Sequence, residues 1–281
     1  MRACAAANTS PDKSRHLGQT PHAEDRDAHD HRCMTKQLAP QETVAAVLAN
    51  PMLPPGDDER FVGFGIMGLP FSNGHYLAMR QFPATTFSPP YVSVWHRDPS
   101  CNWTFYATTP GQQSCARYFS SATPKDAVQC DINVSWLGPW SMVIDIPGSL
   151  HWIVDLQATR ATRLMSGIGG RLSDSAWADP TVLRRVSRVA SRTLGVGDVR
   201  LTGRAPNGQC YMMAPKQLWV VADSRAVLHG RDLGPSGPLL RQARLGDFRM
   251  PQRGIGMVGS GHFETFDPDR HLRPERVLSF A

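Results

Sequence analysis

Lysine is nearly missing from this 281-residue sequence. Of 30 basic side chains only Lys13, Lys36, Lys125 and Lys216 are lysine, and the rest are arginine. A GC-rich genome gives that bias through its codons. Anion binding gives it too, because the planar guanidinium fork matches carboxylate and phosphate. Net charge is +6.

Other absences narrow the function classes. None of the six cysteines, Cys4, Cys33, Cys101, Cys115, Cys130 and Cys210, forms a Cys-x-x-Cys pair. A zinc ribbon or redox dithiol is therefore not expected, and the thiols read as free. No apolar run approaches the length of a membrane span, and the first residues lack a hydrophobic stretch. The expectation is a cytoplasmic protein in a reducing compartment. There is no His-Glu-x-x-His, no nucleophile elbow and no phosphate loop ending in Gly-Lys-Ser/Thr. No metal and no cofactor are expected.

What the sequence does hold is alternation. Cys130, Ile132, Val134 and Trp136 alternate with Asp131, Asn133 and Ser135. Met142, Ile144 and Ile146 form a second apolar row, and Leu150, Trp152, Val154 and Leu156 a third. Successive strand side chains point to opposite faces, so each row is one face of a strand. Gly138-Pro139 and Pro147-Gly148 supply the turns, which predicts an antiparallel meander.

Residues 1 to about 33 are charged and poor in large apolar groups, so disorder is expected; translation starts at Met1 or at Met34. Gln41 to Asn50 predicts a short helix, completing an N-terminal segment 1–57. A β domain follows over 58–266, with a polar tail over 267–281. Phe61–Leu69, His75–Arg80, Tyr91–His96, Trp103–Thr108 and Ser114–Ser120 read as strands. Gly63-x-Gly65-x-x-Gly68 matches the dinucleotide fingerprint as a string. However, Pro70 and Ser72-Asn73-Gly74 stand where that fingerprint needs a helix. The better reading is a strand with one bare face that a backbone or ligand can approach closely.

A helical insertion covers about 158–196. Within it Asp179-Pro180 caps a helix that ends at Gly195. Its apolar stripe includes Val182, Val186 and Leu194; Arg184, Arg188 and Arg192 lie opposite. These arginines form a solvated face or an anion-binding one for phosphate or a lipid headgroup. No aromatics interleave them, so nucleic acid is not expected as a partner. Beyond Gly197, strands resume across Pro206-Asn207-Gly208. Leu218–Ala222 and Ala226–His229 read as separate strands, and Gly254–His262 is the last. Its Arg253-Gly-Ile-Gly-Met-Val-Gly echoes Val62-Gly-Phe-Gly-Ile-Met-Gly. This suggests that the two strands pair and close a barrel.

The block Phe61–Leu156 and the block from Pro206-Asn207-Gly208 to Asp232-Leu233-Gly234 resemble uncharacterised actinobacterial proteins. Through them the chain is weakly similar to the calycin-like group of carotenoid 1,2-hydratase and tocopherol cyclase. That resemblance implies a lipocalin-like barrel with an apolar cavity in which acidic groups protonate an isoprenoid double bond. No catalytic residue is carried over from it.

The expected fold is mainly β, an antiparallel lipocalin/calycin-like barrel or two half-barrels with a helical insertion. The expected function is binding of a hydrophobic small molecule, a lipid or isoprenoid, in the barrel. His75, Tyr76, Trp136 and Trp152 are the candidate ligand-binding residues. The alternative is a cofactor-independent hydratase, cyclase or isomerase using Asp131, Asp145, His151 or Asp155. A third reading is peripheral membrane contact through Arg184, Arg188 and Arg192. The oligomeric state is left open.

Overall fold

The computed structural model describes residues 37–123 and 126–272. The expectations for the N-terminal 33 residues, for Met34 and for the end of the tail fall outside these residues.

The fold is mainly β. Its strands are β1 (Glu59–Pro70), β2 (Tyr76–Thr85), β3 (Tyr91–Arg97), β4 (Trp103–Ala107), β5 (Val128–Gln129), β6 (Asn133–Gly138), β7 (Ser141–Ile146), β8 (Leu150–Gln157), β9 (Thr202–Arg204), β10 (Cys210–Leu228) and β11 (Ile255–Phe263). The helices longer than one turn are α1 (Pro40–Ala49), α2 (Arg160–Arg171) and α3 (Pro180–Thr193). Ten strands follow the order β5-β4-β3-β2-β1-β11-β10-β8-β7-β6; β9 and a two-residue strand at Arg231–Asp232 pair with β10 beside this path, and Arg244–Leu245 pairs with Phe248–Arg249 in a separate hairpin.

The sheet is curled, and chain length shows it. β5 and β6 occupy opposite ends of the path, yet only residues 130–132 separate them. Four Cα steps span at most about 14 Å. The two edges must therefore lie close together, as in a half-barrel bent toward closure.

The expected pairing of the two glycine-rich strands is observed. Gly63 of β1 faces Gly259 of β11, and Gly65 faces Met257. This pair lies in the middle of the path, so it is not the closing seam. The seam belongs to β5 and β6, because the chain crosses between the edges there.

Two further expectations are corrected. Residues 114–120 are not a strand: Ala116–Phe119 is a helical turn flanked by 3-10 turns at Gly111–Gln113 and Ser120–Ala122. Cys115, Ala116, Tyr118 and Phe119 are all buried. That is a helical spacing, which strand alternation cannot satisfy. Nor does the chain turn at Asp223-Ser224. β10 runs 19 residues through it, with a register shift between Val221 and Asp223. The irregularity lets one strand pair with β11 in its first part and with β8 in its second.

The insertion holds two long helices. α2 is nucleated by a capping box between Thr159 and Thr162. It approaches β10 so closely that a Cβ on Gly169 would lie 2.5 Å from the Pro215 carbonyl oxygen. α3 is capped by the Asp179 carboxylate, which accepts from Thr181 N–H at 2.6 Å. Gly195 follows it with φ +65°.

Alternation sorts the core into two faces. Phe64, Ile66, Leu77, Met79, Trp152, Val154 and Trp219 come from both halves of the path and meet inside the curl, with Val44 of α1. Their neighbours in sequence point outward. Phe61, Tyr76, Tyr91 and Trp95 pack there beneath Tyr118, Phe119 and Phe248. α2 and α3 cover β10 and β11 in a third cluster.

Candidate functional site

Two apolar cavities lie on the outer side of the sheet. The first is under the 111–122 segment and has a volume of about 40 Å³. Its floor is bare because Gly63, Gly65 and Gly259 turn toward it. These glycines are not interchangeable with alanine. A Cβ on Gly65 would lie 2.5 Å from the Met79 carbonyl oxygen and 3.1 Å from Arg80 Cδ. A Cβ on Gly63 would strike the Gln81 carbonyl oxygen. The second cavity, about 80 Å³, lies between α3 and the sheet. Met67, Met213, Met257 and Phe248 line both. Unbranched thioether side chains make an adaptable partition.

The cover is tied down from below. Glu59, at the start of β1, accepts from Tyr118 Oη at 2.6 Å and from Gln209 Nε2 at 3.2 Å. It also pairs with Arg117 at 2.7 Å. Burial, reinforced by the Glu59 charge, holds the Tyr118 phenol well above its ordinary pKa. The Tyr118 ring stacks on Phe263 at 3.6 Å, and Phe119 packs on Trp95 at 4.9 Å. Asn207 grips the same turn through the Arg117 and Tyr118 carbonyls.

One cation is buried in the lining. Arg80 is 4% exposed. Its Nη1 donates to the Ile66 and Met79 carbonyls at 2.7 and 2.9 Å, and its Nη2 to Met67 at 3.1 Å. The register of β1 against β2 slips between Ile66 and Leu69. Arg80 therefore satisfies carbonyls around that irregularity. Its guanidinium lies 4.7 Å from the centroid of the Trp95 ring. Burial lowers its pKa to about 10, so it stays charged at neutral pH. No carboxylate pairs with it among the described residues. The Cys115 thiol in the lining is held above its ordinary pKa by burial and sits 3.2 Å from Tyr91 Oη. It is a protonated thiol at neutral pH rather than a nucleophilic thiolate. The lining holds no aspartate, glutamate, histidine or lysine.

The structure spreads the sequence candidates over several places. Trp152 is fully buried inside the curl and donates through Nε1 to Ser224 Oγ at 2.8 Å. Trp136 packs there against Phe64. Tyr76 is buried on the outer face, and its hydroxyl donates to the Pro251 carbonyl at 2.8 Å. His75 Nδ1 meets His96 Nε2 at 2.9 Å, with the rings stacked. Burial lowers both pKa values, that of His96 to about 4.

His151 bonds Asp145 across the β7–β8 ladder at 2.6 Å, and both are exposed. Asp155 accepts from Ser141, and Asp131 is exposed. These four are not gathered at either apolar cavity. Arg184, Arg188 and Arg192 share an open groove of about 520 Å³ with Arg200 and Asp198. The only His-x-His spacing in the sequence, His29 and His31, lies outside the described residues. Among the described residues no helix is long and apolar enough to cross a membrane.

Sequence reasoning found the floor of the first cavity, through the bare face of β1. It missed Arg80, Tyr118 and the roof. The available signal was Arg80 itself, a charged residue on the same strand face as Tyr76, Ala78 and Phe82.

No family model matches the chain, that of the carotenoid 1,2-hydratase and tocopherol cyclase group included, and no curated protein matches it. Solved structures similar to it include two acetoacetate decarboxylases. One is acetoacetate decarboxylase from Legionella pneumophila subsp. pneumophila str. Philadelphia 1, 9% identical, covering 78% of this chain and 88% of that one, with a TM-score of 0.37. The other, also an acetoacetate decarboxylase, is 8% identical, covering 85% and 96%, with a TM-score of 0.36.

Proposed function

We propose that this protein binds a hydrophobic small molecule on the outer side of its curled sheet, under the 111–122 cover. The observation that carries this reading is the bare glycine floor beneath an aromatic roof, enclosing an apolar space. The inside of the curl is filled by Trp152, Trp219 and their neighbours. The expected ligand space inside the barrel therefore moves to the opposite face. Volume sets the ligand's size. The two cavities together offer about 120 Å³. A dry cavity of roughly 150 Å³ accepts benzene. The space here is smaller than that, so the ligand is a single isoprenoid unit or a short acyl chain, seated once the methionine partition swings aside.

Binding is favoured over catalysis because the lining has no acid suited to protonating a double bond. Glu59, the carboxylate tied to the cover, is already occupied by Arg117, Tyr118 and Gln209. Native mass spectrometry of protein purified from its own host tests the proposal. The expected result is a bound mass that is lost on denaturation, together with saturable binding of benzene, read as a rise in thermal midpoint. Protein that carries no adduct and shows no saturable benzene binding overturns it.

A further inference from the structure

We infer that the molecule held in this cavity is an acid, and that Arg80 receives its carboxylate. The inference rests on the binding reading above and specifies the ligand's chemical class.

A guanidinium has five N–H donors. Arg80 uses three of them on the Ile66, Met79 and Met67 carbonyls, two from Nη1 and one from Nη2. Among the described residues the Nε–H and one Nη2–H take no bond. The Nε and Nη2 edge of a guanidinium is the one that takes a carboxylate side-on with two parallel bonds. Neutral carbonyls and the Trp95 ring soften the burial of this charge but do not neutralise it. A buried charge is normally paired. The indole Nε1–H of Trp95, on the ring that Arg80 covers, is also buried and has no acceptor among the described residues.

The other polar groups near Arg80 do not compete as counter-ions. Burial keeps the Tyr76 and Tyr91 phenols and the Cys115 thiol protonated. The local inventory is thus rich in donors and short of negative charge. From Arg80 the apolar lining continues to Met67, Met213 and Met257, and past them into the second cavity. A molecule with its carboxylate at Arg80 would lay its hydrocarbon part along that path.

The competing account gives Arg80 only a structural task, holding the carbonyls where β1 slips. Paired ligands of equal chain length separate the two: butanoate and hexanoate against butan-1-ol and hexan-1-ol. Binding is measured on the full chain by Trp fluorescence and by the shift in thermal midpoint. The expected result is that each acid binds at least about tenfold more tightly than its alcohol, as charge-assisted bonds in a dry site require. In Arg80→Met that preference should vanish while alcohol binding persists. If Arg80→Met does not fold, the wild-type preference decides alone. Equal binding of acid and alcohol overturns the inference and leaves the apolar site standing. Failure of all four to bind overturns both.

Discussion

The His75–His96 pair, which lines neither apolar cavity, offers a sharp test of the electrostatics of the sheet. His96 is 8% exposed, and its ring nitrogen faces that of His75 at 2.9 Å. One ring must donate and the other accept, so protonating both would set two N–H groups head to head. Burial comes first in lowering the His96 pKa to about 4; the nearby His75 and His229 add to this, and Asp98 opposes it.

A histidine with a depressed folded-state pKa takes up its proton more readily when unfolded. Its contribution is therefore complete above the unfolded pKa near 6.5 and is lost as pH falls toward 4. For one such group the loss is about 2 kcal/mol between pH 7 and pH 5, and about 3 kcal/mol by pH 4. The assay is urea unfolding of wild type and His96→Gln at pH 7, 6 and 5. Glutamine can still donate to or accept from His75. Carboxylates elsewhere titrate alike in both proteins, so the difference between the two reports the His75–His96 pair, in which His96 carries the larger shift. That difference should shift by about 2 kcal/mol in favour of the variant at pH 5. Parallel curves, agreeing within about 0.5 kcal/mol, would refute the claim that His96 is held neutral by its surroundings.

The remaining predictions concern the cavity. Gly65→Leu should abolish benzene binding and destabilise the fold by about 1–3 kcal/mol, since its Cβ alone meets the Met79 carbonyl; ligand-induced thermal shift and circular dichroism check both halves. Tyr118→Phe removes a donor from partly buried Glu59. It should lower stability by roughly 1.5–3 kcal/mol and speed ligand release several-fold, as read by denaturation and stopped-flow fluorescence. Trp152→Phe should lower stability by about 2–4 kcal/mol, through lost packing and the lost bond to Ser224, while benzene affinity stays unchanged. A loss of affinity in that folded variant would return the ligand to the inside of the curl.

Much of the strand framework is legible without coordinates. The rows around Ile132, Ile144 and Trp152 are strict enough to fix three strands and their faces. Asp179-Pro180 and Gly195 mark α3 because capping is chemistry between near neighbours. The bare face of β1 is equally plain, since Gly63 and Gly65 alternate with Val62, Phe64 and Ile66. The Ser114–Ser120 segment misleads because seven residues are too few to separate a period of two from one of 3.6. Asp223-Ser224 misleads because a turn and a bulge attract the same polar residues.

Local sequence thus determined where strands form, which face of each is apolar, and how α3 begins and ends. Those outcomes depend on alternation and on hydrogen bonds spanning a few residues. Only the tertiary structure decided which apolar face was filled and which kept a cavity. The filling of the inner face depends on Trp152 and Trp219, 67 positions apart in the chain, meeting inside the curl. Arg80 became a candidate ligand group only when β1, β2 and the 111–122 cover closed around it, since burial and the absence of a counter-ion are properties of surroundings, not of a residue.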